Sequence, residues 1–340
     1  MQPLPPLNEP IKPFTSQAAT AWPRVLSIAD LGSGGSPVTW LWEGYLARGS
    51  ITLLTSQWKA GKTTLLSLLL ARMKTGGTLA GRAVAKARAV IVSEEPQSLW
   101  QERARRLDLG DHALFCRPFS ELPDMAAWNR LLDHLAELHA SQGIDLIVID
   151  PLIMFFPLGA ECNAELMRQA LEGLRRLTNM GMSVLVLHHP KKGTLRPGQG
   201  SRGTGLLPGM ADIVIEMFPY CRLDLPDPRR RLHAYSRHSA TPPLWLIELN
   251  ATHTDYSGRA PNLEDDLPPS WQPLCAILAA AQTPLTIKEI LYDWEPGLPT
   301  PAPNTLWRWL DQAAHQGLIV KSGTGSKKDP FRYALRKANG

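Results

Sequence analysis

Ser56-Gln57-Trp58-Lys59-Ala60-Gly61-Lys62-Thr63 is the stretch on which the reading of this chain turns. It lies between the apolar run Ile51-Thr52-Leu53-Leu54 and the helical run Thr64-Leu65-Leu66-Ser67-Leu68-Leu69-Leu70. Strand, loop and helix in that order are the context a phosphate-binding loop requires. The loop amides and the helix N-terminus offer N–H groups and a positive dipole end to an anion. In this reading Ser56 through Thr64 cradle nucleotide phosphates, Lys62 reaches the β/γ-phosphates, and the Thr63 hydroxyl holds Mg²⁺. The first motif position is normally glycine, which tolerates unusual dihedrals; here it is Ser56. A chance Gly-Lys-Thr at a helix start is the plainer alternative, and the flanking strand and helix weigh against it.

Composition sets the frame. A chain of 340 residues has room for about two domains. Its 44% hydrophobic and 20% charged content suit a soluble globular protein. The net charge of +5 fits a nucleic-acid partner without requiring one. Cys116, Cys162, Cys221 and Cys275 are scattered and lack metal-ligand spacing, which argues against a disulfide framework or zinc site and for a reducing cytoplasm. Residues 1–13 lack the charged start and apolar core of a signal peptide. No apolar run approaches the ~20 residues of a membrane span, so no membrane partner is expected.

Residues 1–38 read as a proline-rich arm ending in Gly32-Ser33-Gly34-Gly35-Ser36. Strands are expected at 50–55, 89–93, 113–117, 146–150, 183–188, 212–217, 232–236 and 245–249, with helices at 62–74, 97–107, 125–141 and 163–180. The early strands are continuously apolar, as in strands covered on both faces by helices. Alternation of the two element types predicts an α/β fold with a mostly parallel sheet over 39–251. The last three strands have no helices between them and are expected as antiparallel additions at one edge. Residues 252–270, with Glu264-Asp265-Asp266-Leu267-Pro268-Pro269, read as a linker. The remainder, 271–337, reads as three helices and a β-hairpin, a winged helix-turn-helix. Thr286-Ile287-Lys288-Glu289 is a capping box, and Asn304 is the expected cap of the third helix.

Hydrolysis needs more than a phosphate loop. Asp150 ends the apolar strand Ile144 to Asp150 and is placed to hold the Mg²⁺ hydration shell with Thr63; a helix or turn cap is the alternative. Ser93-Glu94-Glu95-Pro96 ends another strand in two carboxylates. Glu94 is the preferred general base, while Glu95 either caps the next helix or binds Mg²⁺. Both are otherwise helix N-terminal acids answering the dipole. His188 and His189 stand at a further strand end, where one of them can sense the γ-phosphate; a metal site or a structural role are the rivals. The acid-free loop 191–205 carries Lys191, Lys192, Arg196 and Arg202, a composition suited to DNA backbone contact or simply to a solvated loop.

These parts, in this order, resemble the RecA-like P-loop ATPases of the RepA type within the AAA family. That group holds ring-forming plasmid replicative helicases and related mobile-element ATPases. The resemblance spans Val38 to Asn250 and rests on Trp42-Glu43-Gly44, Lys59-Ala60-Gly61-Lys62-Thr63, Ser93-Glu94-Glu95-Pro96, Val148-Ile149-Asp150, His188-His189 and Ser201-Arg202-Gly203. It implies a RecA-like core, ATP with Mg²⁺ bound between subunits of a homo-hexameric ring, and an arginine or lysine supplied in trans. Arg237 matches such a position on a late strand, with Arg202 second; a surface salt bridge is the alternative for either. The departures are Ser56 and the C-terminal winged helix.

In a winged helix the third helix enters the major groove and the wing touches the backbone. Asn304, Thr305 and Arg308 stand at that helix start, and Lys327 and Lys328 on the wing. Leu306, Leu310 and Ala313 are expected in the core, and Trp307 and Trp309 as packing residues. Residues 318–340 carry a net +5, equal to that of the whole chain. Three functions fit: a DNA-dependent ring motor resembling replicative helicases, working with replication or mobile-element proteins; a nucleotide-gated, site-specific DNA-binding adaptor; and a recombination-mediator motor of the RadA kind. The missing cysteine quartet and missing protease-like extension weigh against the last. Protein docking is the alternative use of the winged helix.

Overall fold

The computed structural model describes residues 27, 38–160, 163–189, 206–220, 227–261, 271–294, 300–315 and 317–336. The chain divides into Met1–Val38 and Thr39–Gly340. The strands are β1 (Trp40–Trp42), β2 (Leu46–Ala47), β3 (Ile51–Ser56), β4 (Gly77–Leu79), β5 (Arg82–Val84), β6 (Ala89–Ser93), β7 (Ala113–Cys116), β8 (Leu146–Asp150), β9 (Ser183–His188), β10 (Ile213–Pro219), β11 (Arg229–Ser236), β12 (Leu244–Leu249), β13 (Tyr256–Arg259), β14 (Ile319–Ser322) and β15 (Arg332–Leu335). The helices are α1 (Lys62–Met73), α2 (Gln97–Leu107), α3 (Met125–Gln142), α4 (Ala164–Asn179), α5 (Leu206–Met210), α6 (Trp271–Ala280), α7 (Ile287–Tyr292) and α8 (Pro303–His315).

One nine-stranded sheet, ordered β13-β12-β11-β10-β3-β9-β8-β6-β7, organises the chain. From β10 to β7 neighbouring strands are parallel, and β11, β12 and β13 add antiparallel pairs at one edge. The strand composition explains the layers. Along β8, Leu146 and Val148 join the core that holds Leu65, Leu68 and Leu69 of α1 and Trp100 of α2. Ile147 and Ile149 join the opposite core, with Trp128, Leu131, Leu132 and Leu135 of α3 and Leu171, Leu174 and Leu177 of α4. Both faces of each parallel strand are covered, so apolar residues run without the alternation of a half-exposed strand. A large, mostly parallel α/β sheet is thus what a RecA-like P-loop core requires.

Several expectations are corrected. Strand β10 belongs to the parallel set, pairing in register with β3 from Ile213↔Thr52 to Met217↔Ser56. Strand β11 begins at Arg229, three residues before the expected Leu232. Residues 256–259, placed in the linker, form β13, and Tyr256 is 3% exposed in the α1-side core. The small sheet β2-β1-β5-β4 was not foreseen. Its short strands carry few apolar residues each and bury them only together, with Trp42, Tyr45, Leu79 and Val84 in that same core. The Trp42 indole donates to Leu79 O within this sheet, and the Trp245 indole of β12 donates to Ala80 O, tying the sheet to the antiparallel edge.

Residues 271 onward have a core of their own: Leu274, Leu278, Ile290, Trp294, Leu306, Leu310, Ala313, Ile319 and Tyr333. The capping box forms as expected, with Thr286 and Glu289 exchanging hydrogen bonds. Asn304 is not the cap of α8. The helix begins at Pro303, whose fixed φ suits a first helical position, so Asn304 is already inside the first turn. Leu306, Leu310 and Ala313 are buried, but Trp307 is 42% exposed and is not a packing residue. Strands β14 and β15 pair antiparallel around a tip at 323–331. Among the described residues no helix is long and apolar enough to cross a membrane. Cys116 and Cys275 form no disulfide among the described residues, and Cys162 and Cys221 lie outside them.

The junction of β13 with the β4–β5 turn is the tightest backbone approach in the core. A β-carbon on Gly258 would lie 2.0 Å from Ala80 O and 2.5 Å from the Trp245 indole nitrogen. Gly258→Ala is therefore expected to destabilise the protein by at least ~1–3 kcal/mol in urea unfolding, the usual range for forced overpacking. The neighbouring Ser257→Ala, at an exposed site, is expected to stay within ~0.5 kcal/mol of the parent.

Candidate nucleotide and hydrolysis site

Parallel strands that end side by side bring their following residues into one crevice. Ser56 ends β3, Ser93 ends β6, Asp150 ends β8 and His188 ends β9. Register fixes their proximity: Ser93 pairs with Asp150, and His188 with Thr55. The phosphate loop leaves β3 and enters α1 through Gly61, with φ of 103°, and Lys59 also has a positive φ of 60°. Such left-handed residues turn successive N–H groups to one side and form an anion-binding concavity. Ser56 needs no glycine, because it is the last residue of an extended strand. Gln57, Trp58 and Lys59 are exposed, Ala60 is buried, and Thr63 and Thr64 are half-buried.

Lys62 is 5% exposed. Its ammonium donates to Ser56 O at 3.2 Å and Ser56 Oγ at 3.0 Å, and lies 3.1 Å from His189 Nδ1. Burial pulls its pKa down to about 8, against the opposing pull of Asp150. Asp150 is pushed up to about 6, first by burial and then by Glu95, with Lys62 and Arg103 opposing and Glu94 adding. The Thr63 hydroxyl stands 3.5 Å from Asp150 Oδ2. A hydroxyl and a buried carboxylate beside an anion nest fit a Mg²⁺–nucleotide: Thr63 and Asp150 would hold the cation directly or through water, and Lys62 and the loop amides the phosphates.

The two acids after β6 separate cleanly. Glu95 forms a bidentate pair with Arg103 of α2, one arm at 3.0 Å. Arg103 also lies over the Trp100 ring at 4.8 Å, and the Trp100 indole donates to Ser93 Oγ. Glu95 is thereby committed to α2. Glu94 is exposed, and burial of its carboxyl, followed by the Glu95 charge, holds its pKa above the usual value, with Arg117 opposing. Its backbone N–H donates to Asp150 O at 3.2 Å. His188 is drawn down to about 4 by burial, then by His189 and Lys62, and His189 is lowered by burial and Lys62. Both imidazoles are thus neutral at pH 7, and His188 Nδ1 is buried with no hydrogen-bond partner among the described residues. No group of three His, Cys, Asp or Glu side chains with metal-site geometry occurs among the described residues.

Arg237 is not brought to its own phosphate loop. It follows Ser236, which pairs with Ile213 and through it stands beside Thr52, near the start of β3. The loop follows the other end of that strand, roughly 13 Å further along. Arg237 is 75% exposed, 4.0 Å from Asp212. Arg202, Lys191, Lys192 and Arg196 lie outside the described residues.

Three contributors were not read from the sequence. Arg103 is eight residues from Glu95, a spacing with no helical signature of its own. Arg230 donates from Nε to Ala60 O at 2.7 Å and so holds the loop backbone. The triplet Arg229-Arg230-Arg231 was a visible signal, but it falls just before the expected strand. Tyr256 Oη comes 3.6 Å from where a Gly61 β-carbon would lie, so β13 closes the underside of the loop.

A central parallel sheet with a phosphate loop, an acidic strand end beside it and a second acid one strand away defines a P-loop nucleotide-hydrolysing ATPase. A family model for the AAA domain (AAA_25) matches residues 17–194, and the chain belongs to that family. A comparison with curated proteins finds none that matches.

Asp150 must be ionised to hold Mg²⁺, so Mg²⁺-dependent nucleotide binding is expected to rise with pH through about 6. Its raised pKa also has a stability sign. The neutral acid favours the fold below the ordinary value of 3.8, and that contribution is lost as pH rises through about 6. Thermal melts of nucleotide-free protein between pH 4 and 7 are expected to show the parent losing ground to Asp150→Asn as pH increases.

Proposed function

We propose that this chain is a DNA-dependent, ring-forming ATPase of RecA-like build, serving as a helicase-like motor of a plasmid, phage or other mobile element. The observation that carries the reading is the convergence of Lys62, Thr63, Glu94 and Asp150 at adjoining strand ends in a chain that also bears a basic C-terminal module. Lys62 and the loop amides bind the triphosphate of ATP, and Thr63 and Asp150 hold Mg²⁺. Glu94 is the free carboxylate of its pair and acts as general base toward the attacking water. His188 and His189 sense the terminal phosphate, His189 through its contact with Lys62. Arg237, remote from its own loop and exposed, supplies charge to the site of a neighbouring subunit in a homo-hexamer. The basic residues Lys191, Lys192, Arg196 and Arg202 contact the DNA backbone.

A second reading has a specific observation behind it. On α8 the side chains of Asn304, Trp307 and Arg308 are exposed together, and Lys327 and Lys328 are exposed on the β14–β15 tip. A winged helix presents that arrangement to duplex DNA, helix in the groove and wing on the backbone. The chain then works as a nucleotide-gated, site-specific DNA-binding adaptor with slow turnover.

ATP hydrolysis measured with and without single-stranded DNA, together with mass in solution, separates these readings. Stimulation by DNA and an oligomeric mass are expected of the motor; slow turnover and duplex binding lost on removing 271–340 are expected of the adaptor. Lys62→Ala is expected to lose nucleotide binding, and Glu94→Gln to keep it while turnover falls ~10²-fold or more. Lys62→Ala and Arg237→Ala proteins, each inactive alone, are expected to regain activity when mixed, because a mixed interface contains one intact site. Full turnover by Arg237→Ala alone discards the trans role.

A further inference from the structure

The phosphate loop holds a second lysine to which the site as described gives no role. Lys59 sits in the left-handed region with φ of 60°, two residues before Gly61 with φ of 103°. Glycine takes such a backbone without steric cost, and a lysine there is strained by its β-carbon. Its neighbour Trp58 is 76% exposed at the loop tip, an unusual place for the largest apolar side chain. The two are in contact, with Lys59 Nζ 4.4 Å from the centroid of the Trp58 ring.

These facts fit one another in a nucleotide-free site. The concavity formed by the loop amides has two lysines on its loop. Lys62 is buried and held by Ser56 and His189, so it approaches from the protein side. Lys59 is exposed, so its ammonium, on a long flexible stem, approaches from solvent. A cation over an exposed aromatic ring is weakly held, whereas an ammonium donating to a phosphate oxygen makes a charge-assisted bond of greater strength. The ring therefore holds the ammonium on the same loop without competing strongly with an anion that enters the concavity.

We propose that Lys59 is a second phosphate-binding lysine of this loop, parked on the Trp58 ring in the nucleotide-free protein and transferred to a phosphate oxygen of the bound nucleotide. The inference rests on the nucleotide reading of the site. It also accounts for a tryptophan exposed at the loop tip and a lysine in a glycine conformation.

The test is equilibrium binding of a fluorescent ATP analogue to the full chain, with thermal unfolding measured on the same proteins. Lys59→Gly is expected to weaken binding about tenfold, the size of one charge-assisted hydrogen bond. The same change relieves the left-handed strain, so its unfolding midpoint is expected to hold or rise. A purely structural role for Lys59 would move the two readouts together. Lys59→Arg is expected to retain most of the affinity. ATP is expected to change tryptophan emission in the parent, and that change should vanish in Trp58→Phe, which removes one of 11 tryptophans. Parental affinity in Lys59→Gly, or an unaltered emission change in Trp58→Phe, overturns the proposal. Failure of the parent itself to bind the analogue, as expected only of Lys62→Ala, overturns the nucleotide reading and this inference with it.

Discussion

The buried ammonium of Lys62 is the constraint around which the site is organised. An ammonium removed from water is costly unless acceptors and opposite charge surround it. Here Ser56 and His189 take its hydrogen bonds and Asp150 supplies an opposing charge, yet burial still outweighs them and lowers its pKa. Asp150 is itself held above its ordinary pKa by burial and by Glu95. Each partner is thus shifted toward its neutral form before any ligand arrives. A triphosphate with Mg²⁺ would offset both shifts, with anionic oxygens for Lys62 and a cation for Asp150.

That arrangement depends on strand order. Strand β9 separates β3 from β8, and β6 lies beyond β8. The phosphate loop, the histidine pair, Asp150 and Glu94 therefore stand at consecutive strand ends. The pairing of Glu95 with Arg103 divides two adjacent acids into one engaged with α2 and one free. Without Arg103 the chain would present two similar carboxylates beside Asp150 and push its pKa further up.

The antiparallel edge does more than finish the sheet. Strand β11 brings Arg230 to Ala60 O, and β13 brings Tyr256 beneath Gly61, so the loop rests on residues beyond the stretch matched by the AAA domain. Arg237 follows directly on the far end of β11. One strand thus runs from the support of the phosphate loop to the residue before Arg237.

Much was legible before the fold was known, where the physics is local. Strand, loop and helix around Lys62 follow from apolar runs and the Gly-Lys-Thr motif, and the two-faced burial of β3, β6, β8 and β9 from their unbroken Val, Ile and Leu content. The capping box at Thr286 needs only a turn of helix to form. Ser56, the apparent irregularity of the motif, proved ordinary, since an extended strand end asks nothing of glycine; the strained residue is Lys59, whose φ no sequence pattern displays. The small β1–β5 sheet, β13 and the short helix start at Pro303 escaped because their residues gain burial or satisfaction only from partners distant in the chain. The engagement of Glu95, the support of the loop by Arg230 and Tyr256, and the distance of Arg237 from its own loop were decided by tertiary structure alone. Each depends on which strand ends lie side by side, and that register is set by packing across the whole sheet.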